Sequence, residues 1–147
     1  MASTPREWYA EAMSKITLQE KLLSELNPKQ REAVLTQEGP LLILAGPGAG
    51  KTKTITHRIA NLLLSGVPAE SIMAVTFTNK AAEEMRSRVQ VILAHTRDTV
   101  KPSAATGLFI GTFHAFGLRI MRSNANTLGY DARFSIFDSD DSLALIK

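Results

Sequence analysis

Between a short apolar run at residues 41–44 and an amphipathic stretch beginning at residue 52 lies the octapeptide Ala45-Gly46-Pro47-Gly48-Ala49-Gly50-Lys51-Thr52. Leu41-Leu42-Ile43-Leu44, bounded by Glu38-Gly39-Pro40 and by the glycines, reads as a strand buried on both faces. Residues 52–64 carry Ile55, Ile59, Leu62 and Leu63 at helical spacing, and Gly66 and Pro68 supply the stop. A glycine-rich turn joining a buried strand to a helix is the setting of a phosphate-binding loop. Glycines let the backbone curl so that successive N–H groups converge on phosphate oxygens, and the helix N-terminus adds its positive dipole end. Lys51 is expected to reach the β- and γ-phosphates and Thr52 to place its hydroxyl on Mg²⁺. Strict GxxxxGK[ST] has glycine where this chain has Ala45, so the loop is a variant of that pattern. A dinucleotide-binding loop fits less well, because Gly46, Gly48 and Gly50 are not spaced GxGxxG and Lys51 would have no role.

The rest of the chain supplies the alternation such a loop needs. Asn27-Pro28-Lys29-Gln30 has the grammar of a helix start, and Ala33 and Val34 follow on a short helix. Residues 72–77 read as a second buried strand, and residues 79–93 as a helix with Met85, Val89 and Ile92 on one face. Glu83 with Arg86 and Glu84 with Arg88 support that helix. Residues 95–106 are polar and breaker-rich, residues 108–111 read as a third strand, and residues 113–128 as a helix closed by Gly129. Strand, helix, strand, helix, strand predicts an α/β fold with a parallel sheet and flanking helices. Ahead of it, Thr4-Pro5-Arg6-Glu7 starts a helix bearing Trp8, Ala12 and Ile16, and a second box at Thr17-Leu18-Gln19-Glu20 predicts a break and restart. This extension is expected to dock through its apolar stripe.

Bulk properties exclude several classes. The 147 residues amount to about one domain. With no cysteine, a disulfide framework and Cys-based zinc sites are excluded. The N-terminal stretch carries charges where a signal peptide needs an apolar core, and no apolar run approaches a membrane span, so a cytoplasmic location is expected. A net charge of +3 is compatible with a polyanionic partner without pointing to one.

Four segments occur in a fixed order: Leu26-Asn27-Pro28-Lys29-Gln30, the phosphate loop, the stretch from Ala74 through Val75-Thr76-Phe77-Thr78-Asn79-Lys80 to Met85, and Gly111-Thr112-Phe113-His114-Ala115-Phe116. Together they closely resemble the start of UvrD/PcrA/Rep-type superfamily-1 DNA helicases, over about residues 26–147. The resemblance implies a P-loop (RecA-like) domain binding ATP and Mg²⁺, single-stranded DNA as partner, and a cytoplasmic, nucleoid-associated protein. Gln30 would read the adenine edge, since a carboxamide offers both a donor and an acceptor. By its spacing from Asn27 it is equally a capping-box glutamine. Lys53 stands where such helicases often carry arginine near the nucleotide. Phe77, Thr78 and Asn79, at the carboxyl end of the second strand, would contact single-stranded DNA, where an aromatic stacks on any base. Phe77 is alternatively the last core residue of its strand. Thr112, Phe113 and His114 resemble further DNA contacts, and His114 alone reads equally as a packed or capping residue. His57 and His95 receive no functional reading, and Arg86, Arg88, Arg119 and Arg122 read mainly as solvated helix faces.

Hydrolysis in such a domain needs a strand ending in Asp-Glu. The one look-alike, Phe134-Ser135-Ile136-Phe137-Asp138, is followed by Ser139, and Asp138 reads as a helix cap. The expectation is a fragment lacking the acidic pair and later motifs and therefore inactive alone: residues 1–26 an extension, 27–130 part of domain 1A, 131–147 the start of subdomain 1B. The rest of 1A, with 1B, 2A and 2B, would be its partners. The polarity the resemblance implies is 3′→5′. A non-motor nucleotide-binding module, a RecB/AddA-type helicase-nuclease and a P-loop kinase are the other readings.

Overall fold

Helix α3 (Lys51–Leu64) carries the packing of the first of two units, Met1–Gly111. The computed structural model describes residues 5–94, 106–131 and 133–136, with backbone alone for residues 5–12 and 15. The expectations for Thr4, for the side chains of Trp8 and Ala12, for residues 95–105 and for Asp138 onward lie outside the described residues. Helix α3 starts at Gly50, whose φ of +79° is open to glycine without strain. Buried residues run almost all round it: Thr54, Thr56, His57, Ile59, Ala60, Asn61, Leu63 and Leu64. The predicted stripe is only part of this, and its member Ile55 is exposed. Polar side chains tolerate such burial because each finds a partner. The hydroxyls of Thr54 and Thr56 donate to the carbonyls of Gly50 and Lys53 at 3.1 and 3.0 Å.

Asn61 is wholly buried and joins three helices. Its Nδ2 donates at 3.2 Å to the carbonyl of Val34 in α2 (Pro28–Leu35), and its Oδ1 accepts at 2.8 Å from Gln19 Nε2 of α1 (Pro5–Ser24). Helix α1 is unbroken, against the predicted restart at Thr17. The Thr17 hydroxyl donates to the Met13 carbonyl at 3.0 Å, a back-bond within a continuing helix rather than a cap. Leu22 packs with Ala60 and Leu64, with Ile92 and Leu93 alongside, whereas Ile16 is exposed. The docked face of α1 is therefore the one carrying Gln19 and Leu22.

Strand β1 (Met73–Thr76), helix α4 (Asn79–Ala94) and strand β2 (Phe109–Thr112) form the α/β part, a two-stranded parallel sheet. Ile59 and Leu63 of α3, Met85 and Val89 of α4, Ala74 of β1 and Ile110 of β2 make one core cluster. On α4 the predicted ion pairs form: Arg86 with Glu83, and Arg88 with Glu84 at 2.6 Å. Arg86 is no simple solvated residue, because its guanidinium also donates at 2.7 Å to the Ile110 carbonyl and ties α4 to β2.

The largest departure concerns residues 41–44, predicted as a buried strand. They form no strand, and Leu42 and Leu44 are 82% and 86% exposed. A central strand takes its hydrogen bonds from neighbouring strands, and among the described residues none lies alongside this run.

In the second unit, Thr112–Lys147, helix α5 (Phe113–Ser123) ends earlier than predicted. Asn124 Nδ2 donates to the Ile120 carbonyl at 2.9 Å, and the chain turns so that Tyr130 N–H reaches Ala125 at 2.9 Å.

Replacing Asn61 with alanine strands the Val34 carbonyl and the Gln19 amide together. We expect a loss of about 2–3 kcal/mol, read by chemical denaturation; a loss under about 0.5 kcal/mol, the level of an ordinary surface substitution, contradicts the junction.

Candidate functional site

The loop over residues 45–50 takes its shape from its glycines and its own lysine. Gly48 and Gly50 have φ of +75° and +79°, a region that costs an L-residue about 1–2 kcal/mol. Ala49 N–H reaches the Gly46 carbonyl at 3.3 Å, and Thr54 N–H reaches Gly50 at 2.9 Å as the helix begins. The exposed Lys51 folds back, its Nζ donating at 2.9 Å to the Ala45 carbonyl and at 2.7 Å to Gly46. An ammonium over a loop whose amides belong to a helix start is a cationic anion-binding arrangement. Alanine at 45 does not disturb it, since the Ala45 carbonyl is what Lys51 uses.

Gln30 closes the predicted capping box and also reaches the loop. Asn27 caps α2, its Oδ1 accepting from Gln30 N–H at 2.9 Å, and Gln30 Oε1 accepts from Asn27 N–H at 3.1 Å, closing a capping box. The other end of the same carboxamide, Nε2, donates at 3.1 Å to the Ala49 carbonyl in the loop. Gln30 packs so closely that a Cβ on Gly50 would lie 2.6 Å from its Nε2. An amide N–H only donates and a carbonyl only accepts, so the two contacts fix the carboxamide's orientation. One lone pair and one N–H remain for a ligand. A cleft of about 320 Å³ runs between Gln30 and Ala33 of α2 and Ala45, Gly46, Ala49 and Lys51 of the loop.

Lys53 is directed elsewhere. Its Nζ donates to the Glu25 carbonyl at 2.7 Å and stands 3.7 Å from the Glu25 carboxylate. His57, without a reading from sequence, lies buried beneath it. Its Nδ1 meets the Lys53 carbonyl at 2.8 Å and its Nε2 lies 3.5 Å from Glu25. Thr52 is half-buried in the first turn of α3. Among the described residues no group of three His, Cys, Asp or Glu is placed to hold a metal ion. A single hydroxyl is nonetheless the kind of ligand Mg²⁺ uses when phosphates supply the rest.

In the first unit Thr78 caps α4, its Oγ1 accepting from Ala81 N–H at 3.1 Å, while Thr76 Oγ1 donates to the Thr78 carbonyl at 2.9 Å. Asn79 opens the helix and is exposed. Phe77 is 89% exposed, so it is not the last core residue of its strand. In the second unit Thr112 caps α5 through Ala115 N–H at 3.2 Å, with Phe113 half-exposed and His114 exposed.

Two residues that periodicity did not single out hold α2 against α3. Arg58 Nη1 donates at 2.6 Å to the Ala33 carbonyl and closely to that of Thr36, while Asn61 takes Val34. The sequence signal was a polar set at 54, 57, 58 and 61, helically spaced on a helix that follows a glycine-rich loop.

Gly50→Ala is expected to cost about 2 kcal/mol of stability against about 1 for Gly48→Ala, because only Gly50 adds a clash to its strained φ. In a Gln30→Ala background the difference disappears; if it persists in denaturation curves, Gln30 is not what crowds Gly50.

Comparison with known proteins extends the local geometry. The UvrD/REP helicase N-terminal domain model matches residues 26–147. The chain is 47% identical over 128 residues to "ATP-dependent DNA helicase PcrA" of Bacillus subtilis (strain 168), covering 86% of this chain and 16% of that protein. It is 43% identical over 127 residues to the protein of that name from Staphylococcus aureus (strain Mu50 / ATCC 700699), with the same coverage. With "DNA helicase II" of Haemophilus influenzae it shares 48% over 129 residues, 86% of this chain and 17% of that protein. The chain thus spans about a sixth of the length of these curated relatives. A match running through Gln30, the lysine-closed loop and both threonine-capped strand ends identifies the chain as a member of the UvrD/REP helicase N-terminal domain family.

Proposed function

We propose that this chain is the ATP-binding N-terminal part of an ATP-dependent DNA helicase or translocase acting in DNA repair, replication or recombination. Residues 27–130 would belong to its RecA-like domain 1A, residues 1–26 to an extension and residues 131–147 to the start of subdomain 1B. The observation that carries the reading is the joint placement of Gln30 and Lys51 on one loop, through the Ala49, Ala45 and Gly46 carbonyls. The donor and acceptor left on Gln30 match adenine, which offers N6–H beside N7. They mismatch guanine, whose O6 and N7 both accept.

The residues present fit ATP. Gly46 and Gly48 have open space where a side chain would project, so the loop can be approached closely. Lys51 would exchange two carbonyl acceptors for β- and γ-phosphate oxygens, and Thr52 would hold Mg²⁺ through its hydroxyl. The loop amides of residues 45–50, except at Pro47, which has no N–H, would surround the phosphates, and Lys53 would join them on leaving Glu25. When bound, ATP supplies the phosphoanhydride bond whose cleavage drives translocation. Phe77, Thr78, Asn79, Thr112, Phe113 and His114 would contact single-stranded DNA, with the exposed Phe77 ring stacking on a base. Movement in the 3′→5′ direction and assembly with the rest of 1A, 1B, 2A and 2B belong to this reading through the motifs' resemblance to UvrD/PcrA/Rep-type helicases. Among the described residues no helix is long and apolar enough to cross a membrane, in keeping with a cytoplasmic, nucleoid-associated protein.

Lys51→Ala is expected to abolish binding of a ribose-labelled fluorescent ATP to the chain while leaving its circular dichroism unchanged; retained affinity sinks the ATP reading. Phe77→Ala is expected to leave stability within about 0.5 kcal/mol and to lower oligo(dT) affinity about tenfold, by fluorescence anisotropy. Unchanged oligo(dT) binding removes Phe77 from the DNA contacts.

A further inference from the structure

We propose that Arg58 is a positioning residue for base selection, acting through Gln30 from the far end of α2. The inference rests on the nucleotide reading above and deepens it.

Helix α2 has only eight residues, and a helix that short has no stability of its own in water. Whatever fixes its placement must come from outside. At its start, the capping box ties Asn27 and Gln30 to one another but to nothing beyond the helix. The outside anchors run along it: the Arg31 guanidinium donates to the Leu23 carbonyl at 3.1 Å, Asn61 takes the Val34 carbonyl, and the Ala33 and Thr36 carbonyls accept from the Arg58 guanidinium. Those carbonyls belong to the last turn, whose oxygens have no partner within the helix. A guanidinium presents its N–H groups in a rigid planar fork, so holding two carbonyls sets direction as well as distance. Arg58 sits on the helix that the loop itself begins, seven residues after Lys51. The fork, together with Asn61 on the same helix, therefore sets α2, and with it Gln30, in the frame of the loop, where Gln30 Nε2 reaches the Ala49 carbonyl.

That contact and the Asn27 N–H together orient the carboxamide. With the fork removed, α2 shifts and Nε2 leaves Ala49, so the carboxamide is held by the Asn27 N–H alone and rotates more freely. A rotating carboxamide presents a donor to guanine O6 as readily as an acceptor to adenine N6–H. Arg58 thus acts on the choice of base without touching the nucleotide, and its loss leaves phosphate binding by Lys51 intact.

The test measures affinities of the 147-residue chain for ribose-labelled ATP and GTP, in the presence of Mg²⁺. Wild type is expected to prefer ATP. Arg58→Met, which keeps most of the apolar stem, is expected to lower ATP affinity about tenfold and leave GTP affinity unchanged, erasing the preference. Arg58→Lys, whose single ammonium serves the two carbonyls less well, is expected to retain an intermediate preference. Should Arg58→Met fail to fold, Arg58→Lys decides: an undiminished ATP preference overturns the proposal. Equal weakening of both nucleotides in a folded Arg58→Met, or weakening of neither, overturns it too. Lys51→Ala separates the two levels. If it leaves both affinities intact, the nucleotide site itself is wrong. If it removes both while Arg58→Met does not alter their ratio, only the role of Arg58 falls.

Discussion

Three carbonyls at the end of one short helix, those of Ala33, Val34 and Thr36, accept hydrogen bonds from Arg58 and Asn61 on α3. The rest of the site depends on that contact. Helix α3 begins where the glycine-rich loop ends, and α2 carries Gln30. Fastening one helix to the other holds the Gln30 carboxamide and the Lys51 ammonium on the same loop. Burial of Asn61 is what makes the fastening strict, because a buried polar atom left without its partner costs about 1–3 kcal/mol. Alternatives in which α2 slides along α3 are thereby disfavoured, where a purely apolar contact would tolerate them.

The loop shows a second constraint, electrostatic rather than steric. Lys51 sits over its own loop's carbonyls, which hold the ammonium near the amide-rich turn. Glu25 holds Lys53 in the same manner but in another direction, with His57 beneath. Two lysines two residues apart are therefore aimed by different acceptors, and only Lys51 lies on the loop.

Much of this was legible in the sequence, and the parts that were not share a cause. The Asn27-to-Gln30 cap and the Glu84–Arg88 pair depend on residues three or four apart, so spacing alone revealed them. The restart predicted at Thr17 failed because a threonine hydroxyl can bond back to a carbonyl four residues earlier as well as cap. The strand predicted at residues 41–44 needed neighbours that no local pattern can guarantee. Phe77 had two readings that differ only in exposure, a tertiary property. Arg58 and Asn61 escape a reading by hydrophobic periodicity, which counts them as surface, and only the fold supplies the carbonyls they bind. Gln30 could be read from sequence as a cap or as a ligand contact; the structure shows the cap, and the free end of the same carboxamide bonds the Ala49 carbonyl of the loop.

The central claim is that Gln30 and the loop form one adenine-nucleotide site. It is tested most directly by nitrogen-15 NMR of the chain titrated with ATP and, separately, GTP, both with Mg²⁺. The account predicts that ATP shifts the backbone amides of Gly46 and residues 48–52 together with the Gln30 side-chain amide, whereas GTP shifts the loop amides and leaves the Gln30 side chain largely unmoved. Shifts confined to residues outside the loop and α2, or a Gln30 side chain indifferent to ATP, would contradict it.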